Sequence, residues 1–205
     1  MSDNITMSSG VRDIDIREAL RQTTLKHYYG DGQSRVVEEL GIEYGKFRID
    51  IAVINGALLG IEIKSETDDL SRLANQARAY NLVFDYLTLV IHERHIRSAE
   101  TFSDIRTWGI VLVPKTANRD DVQLEEIRET QFNSHTDSIS VARLLWRDEA
   151  IDILARHTAS NRVRSARRDE LVSRLSEALS PAELRTEVRA ALKARRNWRV
   201  GQPLM

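Results

Sequence analysis

Cysteine is absent from these 205 residues, so no disulfide framework and no cysteine-based zinc site can support the fold. No apolar run approaches the length of a membrane span, and the amino-terminal MSDNITMSSG lacks the apolar core of a signal peptide. A soluble, cytoplasmic protein that makes no use of a membrane is the expectation. There is no glycine-rich phosphate loop, which argues against intrinsic NTPase activity, and no serine nucleophile elbow. Lysine is scarce, with 5 against 25 arginines. What is present is an apolar content of 41%, enough for a real core, in a length that suits one medium domain or a domain with a small appendage.

The net charge of −1 conceals an asymmetry. Residues 156–205 hold 12 Lys and Arg against 5 Asp and Glu, a balance of +7, and the remainder carries −8. Such a division suggests a tail that meets a polyanion and a body that hosts cations; a solvated helical surface is the plainer alternative.

The most informative segment is Arg48 to Lys64, RIDIAVINGALLGIEIK. Apolar residues alternate at 49, 51, 53 and at 59, 61, 63, the period of two of half-buried strands, with Asn55-Gly56 between them as a hairpin turn. A two-residue loop would mix the apolar sets. A three-residue loop with a left-handed bulge at Gly56, pairing Val53 with Ala57, keeps Ile49, Ile51, Val53, Leu59, Ile61 and Ile63 on one face. The opposite face then carries Arg48, Asp50, Glu62 and Lys64.

Around this hairpin the pattern predicts a helix over 12–27 and a short helix from Ser34 to Leu40 ended by Gly41. A strand from Ile42 to Phe47 leads into the hairpin. A helix from Leu70 to Phe84 follows, then a strand from Leu87 to Ile91, a helical piece from Arg94 to Ile105, and a strand from Gly109 to Val113 ended by Pro114. Strand–helix–strand passages of this kind favour right-handed parallel crossovers in an α/β layered fold. Val122 to Glu129 is ambiguous and reads as an edge strand, and residues 130–139 as a linker. The remainder is helical: Val141 to Arg156, Asp169 to Leu179, and a last helix opened by Ser180-Pro181 with Glu183 following.

Two carboxylates held a few ångströms apart repel each other, and a site that keeps both ionised needs a cation. Asp50 and Glu62 are oxygen ligands suited to Mg²⁺ or Mn²⁺, and Lys64 on the same face could orient a water or neutralise charge on phosphorus. That is a phosphodiester-hydrolysing constellation. The chain contains a single Glu-x-Lys, and its weight comes from its place at the end of a strand opposite a phased Asp. The alternative is a solvent-exposed Glu and Lys, with Asp50 paired to Arg48 at the surface.

The order helix, strand, Asp-bearing strand, Glu-x-Lys strand, helix, strand resembles the PD-(D/E)XK nuclease superfamily, the restriction-endonuclease-like fold. Gln76-Ala-Arg-Ala-Tyr80 resembles the Gln-x-x-x-Tyr element of RecB-like members, and RIDIAVING, GIEIKSETDDLSRLANQARAY and LKARRNW are similar to bacterial and phage proteins of that superfamily. The resemblance implies an αβββαβ core with a mixed sheet over 12–134 and a basic helical extension over 140–200. It further implies Asp50 and Glu62 as ligands of Mg²⁺ or Mn²⁺ with the carbonyl of Ile63 as an extra ligand, Lys64 as the catalytic amine, and Gln76 and Tyr80 as supports of the site. Glu39, with Glu38 as the alternative, would reach the metal from the amino-terminal helix. Ile49 stands where the superfamily name has proline.

In the last helix Arg185, Arg189, Lys193 and Arg196 form a basic stripe beside an apolar one of Leu184, Val188 and Leu192, and Arg162, Arg164, Arg167 and Arg168 precede it. Among the histidines at 27, 92, 95, 135 and 157 only His92 and His95 are close, and a surface reading is favoured over a metal site. The reading is a metal-dependent deoxyribonuclease whose partner is DNA. A non-catalytic nucleic-acid-binding module, or a subunit that pairs with itself or another protein, are the alternatives. Alanine at Glu62 or Lys64 is expected to abolish cleavage and leave the fold intact.

Overall fold

The computed structural model describes residues 10–117, 119, 121–158 and 165–196. The amino-terminal start, Arg162, Arg164 and the Asn197-Trp198 end of LKARRNW lie outside them. Within them the chain runs α1 (Asp13–Gln22), α2 (Lys26–Gly30), β1 (Arg35–Ile42), β2 (Phe47–Ile54), β3 (Leu58–Lys64), α3 (Leu73–Asn81), β4 (Tyr86–His92), α4 (Ile96–Ala99), β5 (Gly109–Val113), β6 (Glu125–Arg128), α5 (Ser138–Ala142), α6 (Arg147–His157), α7 (Arg168–Ala178) and α8 (Pro181–Ala194). Among the described residues six strands make one mixed sheet in sequence order. β1, β2 and β3 form an antiparallel meander, β4 and β5 continue parallel to β3, and β6 turns back antiparallel at the edge. The α/β class with helices flanking a mixed sheet is as expected.

Both faces of the sheet are buried, which corrects the expectation of a single apolar face. One face packs Ile51, Val53, Ile61, Ile63, Val90 and Val113 under Ile16 and Leu20 of α1. The other face packs Ile49, Ala52, Ile54, Leu58, Leu89 and Ile91 against α3 and against α5 to α8, in one continuous cluster. Ile49 therefore lies on the opposite side from Ile51, although both are odd-numbered positions of one strand. The face of β2 changes at Asp50-Ile51, and β1 changes with it: Val37 and Leu40, three residues apart, join the same cluster as Ile49 and Ala52. Glu39 between them has φ of 58°, left-handed for a residue with a side chain.

That kink explains why Ser34 to Leu40 reads as a helix in sequence. Inward residues separated by three mimic a helical repeat, whereas the segment is strand, and the expected strand Ile42 to Phe47 is mostly the turn between β1 and β2. The turn holds Glu43, Tyr44 and Gly45 at φ of 52°, 58° and 88°. It is fastened to the carboxy-terminal helices: Tyr44 donates to Asp169 at 2.7 Å, its ring lies under the Arg168 guanidinium, and Arg143 pairs with Glu43 at 2.7 Å.

The β2–β3 hairpin is present, but its register is Val53 with Leu59 and Ile54 with Leu58, two residues beyond the expected pairing. Gly56 is not left-handed. The loop 55–57 is closed instead by the Asn55 side chain, which accepts from the Ala57 amide at 2.8 Å, while the Asn55 amide donates to the Ala57 carbonyl. A shift of two keeps every residue of β3 on its expected face, so Glu62 and Lys64 remain together.

The expected helix over 12–27 is broken into α1 and α2, and the piece from Arg94 to Ile105 into short turns around α4. Val141 to Arg156 is likewise two helices, because Glu149 accepts from the Trp146 amide at 2.7 Å and caps a fresh start. Residues 130–139 are no free linker: Asn133 is buried and donates to the carbonyls of Asn81 and Phe84. Ser180 and Glu183 cap α8 reciprocally, as expected. No helix among the described residues is long and apolar enough to cross a membrane.

Gly60 leaves no room for a side chain in this packing. A Cβ there would stand 2.4 Å from Ile49 Cδ1 and 2.8 Å from Leu87 Cδ2. Gly60→Val should therefore destabilise the protein by about 1–3 kcal/mol, the usual range for overpacking, as read from urea unfolding.

Candidate functional site

Glu62 and Lys64 are two residues apart at the end of β3, so they share a sheet face, and that face is covered by α3. Both are buried, with side-chain exposures of 2% and 7%. This corrects the expectation that they lie away from apolar packing, and alanine at either position would leave a cavity as well as remove a charge. Arginine–carboxylate pairing of Asp50 with Arg48 is not seen; Arg48 faces Glu39 at 3.6 Å instead.

α3 places Gln76 and Tyr80 one turn apart on its inner face. Lys64 Nζ donates to Glu62 Oε1 at 2.7 Å and to Gln76 Oε1 at 3.1 Å. Gln76 Nε2 donates to Glu62 Oε1 at 2.7 Å and to the Tyr80 hydroxyl at 3.3 Å, and Tyr80 donates to the Arg48 carbonyl at 2.6 Å. The amide of Gln76 is thereby oriented by donors and acceptors on both sides. The five residues Asp50, Glu62, Lys64, Gln76 and Tyr80 thus gather along β2, β3 and α3.

Asp50 is held differently. Its Oδ2 accepts from the Ile63 amide at 2.7 Å, which takes the place of a strand–strand hydrogen bond, and the β2–β3 ladder ends at Ile51 with Ile61. Its Oδ1 accepts from Arg17 Nη2 at 2.7 Å. Arg17, on α1, was not singled out by the sequence pattern. It lies beside Ile16 and one turn before Leu20, at the edge of the buried stripe, and that position was the available signal.

Burial and the charge of Glu62 push the Asp50 carboxyl up to about 7, against the opposing pull of the Ile63 amide and Arg17. Burial also raises Glu62, in spite of Lys64. Burial, then the Glu62 charge, raises the Tyr80 phenol, which stays protonated as a donor. Glu62 Oε1 is saturated with two donors, but its Oε2 is buried and has no hydrogen-bond partner. A bare buried carboxylate oxygen is costly and calls for a proton or a cation.

The residues present fit a divalent cation on that ground. Asp50 and Glu62 offer hard oxygen atoms, each Asp50 oxygen keeps a second lone pair, and Ile63 stands between them. No group of three or more His, Cys, Asp or Glu side chains able to hold a metal converges among the described residues, so such an ion would keep several waters. Glu39 lies on β1 and not on an amino-terminal helix, and its carboxylate is engaged by Arg17 at 2.9 Å. Glu38 is taken by Arg21.

The basic stripe is elsewhere. Arg189 approaches Asp85 at 3.9 Å, and Asp85 accepts from the amide of Leu58, the first residue of β3. Lys193 reaches the Gln33 carbonyl, Arg185 donates to Thr136, and Arg196 is exposed. The stripe thus meets the hairpin end of the sheet, six residues or about 20 Å along β3 from Lys64. Arg168 stacks on Tyr44, and Arg167 is exposed. His92 is buried rather than at the surface, and burial lowers its pKa. A groove of about 960 Å³ on the α1 face, lined by Ile14, Glu18, Val53, Leu59, Ile61 and Leu124 among others, includes none of the five gathered residues.

A family model described as Bacteriophage P4 protein cII matches residues 12–199. Protein cII of Enterobacteria phage P4 is 27% identical over 145 residues, which cover 69% of this chain and 53% of that protein. The chain therefore spans about half the length of this curated relative. No solved structure matches the chain.

Because the folded carboxyl of Asp50 lies above its unfolded value of 3.8, the folded state binds the proton more tightly, and the ionised group costs stability as pH rises towards 7. The stability difference between the wild type and Asp50→Asn, measured by urea unfolding in EDTA, should accordingly shift in favour of the variant between about pH 4 and pH 7. A difference independent of pH would place Asp50 at an ordinary carboxylate value.

Proposed function

The chain belongs to the bacteriophage P4 protein cII family, and we propose that it is a metal-dependent nuclease hydrolysing phosphodiester bonds of DNA on a restriction-endonuclease-like core. The observation that carries this reading is the Glu62 carboxylate, buried beside Asp50 with one oxygen saturated by Lys64 and Gln76 and the other bare. An unpartnered buried carboxylate oxygen beside a second carboxylate supports a cation-binding role for Glu62. The order α1, β1, β2, β3, α3, β4, with β3 and β4 parallel around α3, supports the same core.

Asp50 and Glu62 would hold Mg²⁺ or Mn²⁺, with the Ile63 carbonyl as a further ligand. Glu39 would first have to leave Arg17. The bound ion supplies a water of lowered pKa and positive charge against the developing charge on phosphorus. Lys64 donates from a site where its amine is fixed by Glu62 and Gln76 and loses no freedom on forming the transition state. Its three protons leave one free for a water or a phosphoryl oxygen beyond those two partners. Gln76 holds Lys64 and Glu62 at a constant separation, and Tyr80 ties Gln76 to the backbone of β2 at Arg48. Arg185, Arg189 and Lys193 sit at the far end of β3, so a contact of theirs with the DNA backbone would lie about 20 Å from Lys64.

The deciding experiment is cleavage of plasmid and linear DNA with Mg²⁺ or Mn²⁺ and with EDTA. The wild type is compared with Lys64→Met and Glu62→Gln, which keep side-chain volume better than alanine. Loss of activity by at least about 10²-fold in both variants, with unchanged circular dichroism, is the expected result. In parallel, Mn²⁺ should raise the melting temperature of the wild type and not that of Glu62→Gln. Absence of wild-type cleavage, together with DNA binding that weakens with salt, would move the reading to a non-catalytic nucleic-acid-binding module on this fold.

A further inference from the structure

Arg17 is one of the few charged side chains that this fold buries, at 7% exposure, and it is placed with unusual specificity. Its Nη1 donates to the main-chain carbonyl of Asp50 at 2.9 Å, and its Nη2 donates to Asp50 Oδ1 at 2.7 Å and to Glu39 Oε1 at 2.9 Å. Its Nε donates to Asp13 one turn back on the same helix, which sets the plane of the guanidinium. One planar fork therefore grips a backbone oxygen and a side-chain oxygen of a single residue, and ties both to the carboxylate of Glu39.

The residues it grips are those at which the sheet departs from regularity. Glu39 is left-handed, β2 changes face at Asp50-Ile51, and the ladder to β3 ends there. With the Asp50 carbonyl drawn towards α1, the carboxylate swings between the strands and its second oxygen captures the Ile63 amide. Without a cation at Arg17, Asp13 and Asp50 would lose their arginine partner, and Glu39 would keep only Arg48 at 3.6 Å.

Resting on the nuclease reading of the site, we infer that Arg17 is the positioning residue of the centre: it holds β2 and β3 apart at Asp50 and presents that carboxylate to a cation. It touches neither cation nor substrate and acts through Asp50. The action depends on the geometry of the fork, since a lysine carries the same charge but cannot span the two Asp50 oxygens and Glu39 together.

The test uses Arg17→Lys and Arg17→Met in the full chain, with two readouts. The first needs no metal: hydrogen exchange at the Ile63 amide by NMR, referred to the amides of Ile61 and Val90 in the same core. Exchange at Ile63 is expected to accelerate at least 10-fold in both variants while the reference amides stay protected, so that loss of one hydrogen bond is separated from loss of the fold. The second is Mn²⁺ affinity by calorimetry, expected to fall at least 10-fold in both variants. Wild-type exchange at Ile63 in Arg17→Lys would overturn positioning by the fork and leave Arg17 a counter-charge. Acceleration at Ile63 with unchanged Mn²⁺ affinity would overturn its role in presenting the ligand. Failure of the wild type to take up Mn²⁺ would sink the nuclease reading instead, and the amide readout would then show a purely structural grip.

Discussion

Two carboxylates, Asp50 and Glu62, are buried near each other on adjacent strands of one sheet, and the surrounding structure is arranged to tolerate them. Each is answered from a different side. Glu62 meets Lys64 and Gln76 on the α3 face, and Asp50 meets Arg17 from α1 and the Ile63 amide. Charge is compensated only in part, because one oxygen of Glu62 is left bare and both acids are driven towards protonation. Burying charges without full compensation is expensive, and folds retain such centres where the imbalance has a use.

The cost is met by packing on both faces of the sheet. Ile16 and Leu20 of α1 fill one face and so bring Arg17 to Asp50, while the carboxy-terminal helices extend the core of the other face continuously from the sheet. These helices also grip the β1–β2 turn through Tyr44, Arg143 and Arg168. Their positive charge is therefore largely employed within the molecule. Arg195 pairs with Glu149 and caps the Leu144 carbonyl, and Arg185, Arg189 and Lys193 face the body at the hairpin end. The basic balance of the tail is thus as much a fastening as a surface for a polyanion.

A sheet whose antiparallel meander is continued by parallel strands brings the ends of β2 and β3 under the amino-terminal half of α3, and this is what lets Gln76 reach both Glu62 and Lys64. Protein cII of phage P4 is about twice as long as the part matched here.

The hairpin, the helix bearing Gln76 and Tyr80, the two parallel strands and the capped last helix were legible in the sequence, because each is set by a local repeat or a local capping pair. The same holds for the association of Glu62 with Lys64, which follows from the period of two and survives a register shift of two. β1 was misread, since a left-handed Glu39 spaces Val37 and Leu40 as a helix would. The grip of Arg17 on Asp50 is not legible in the sequence, because residues 33 apart in the chain meet only when α1 packs on the sheet. The basic stripe is legible from its spacing, but where it docks is not, since the contacts of Arg185 with Thr136, Arg189 with Asp85 and Lys193 with Gln33 join residues far apart in sequence. Local alternation determined which residues of β3 share a face. The depth of burial, the counter-charge at Asp50 and the bare oxygen of Glu62 were decided only by tertiary packing, because desolvation and charge pairing depend on distance in space and not on spacing along the chain.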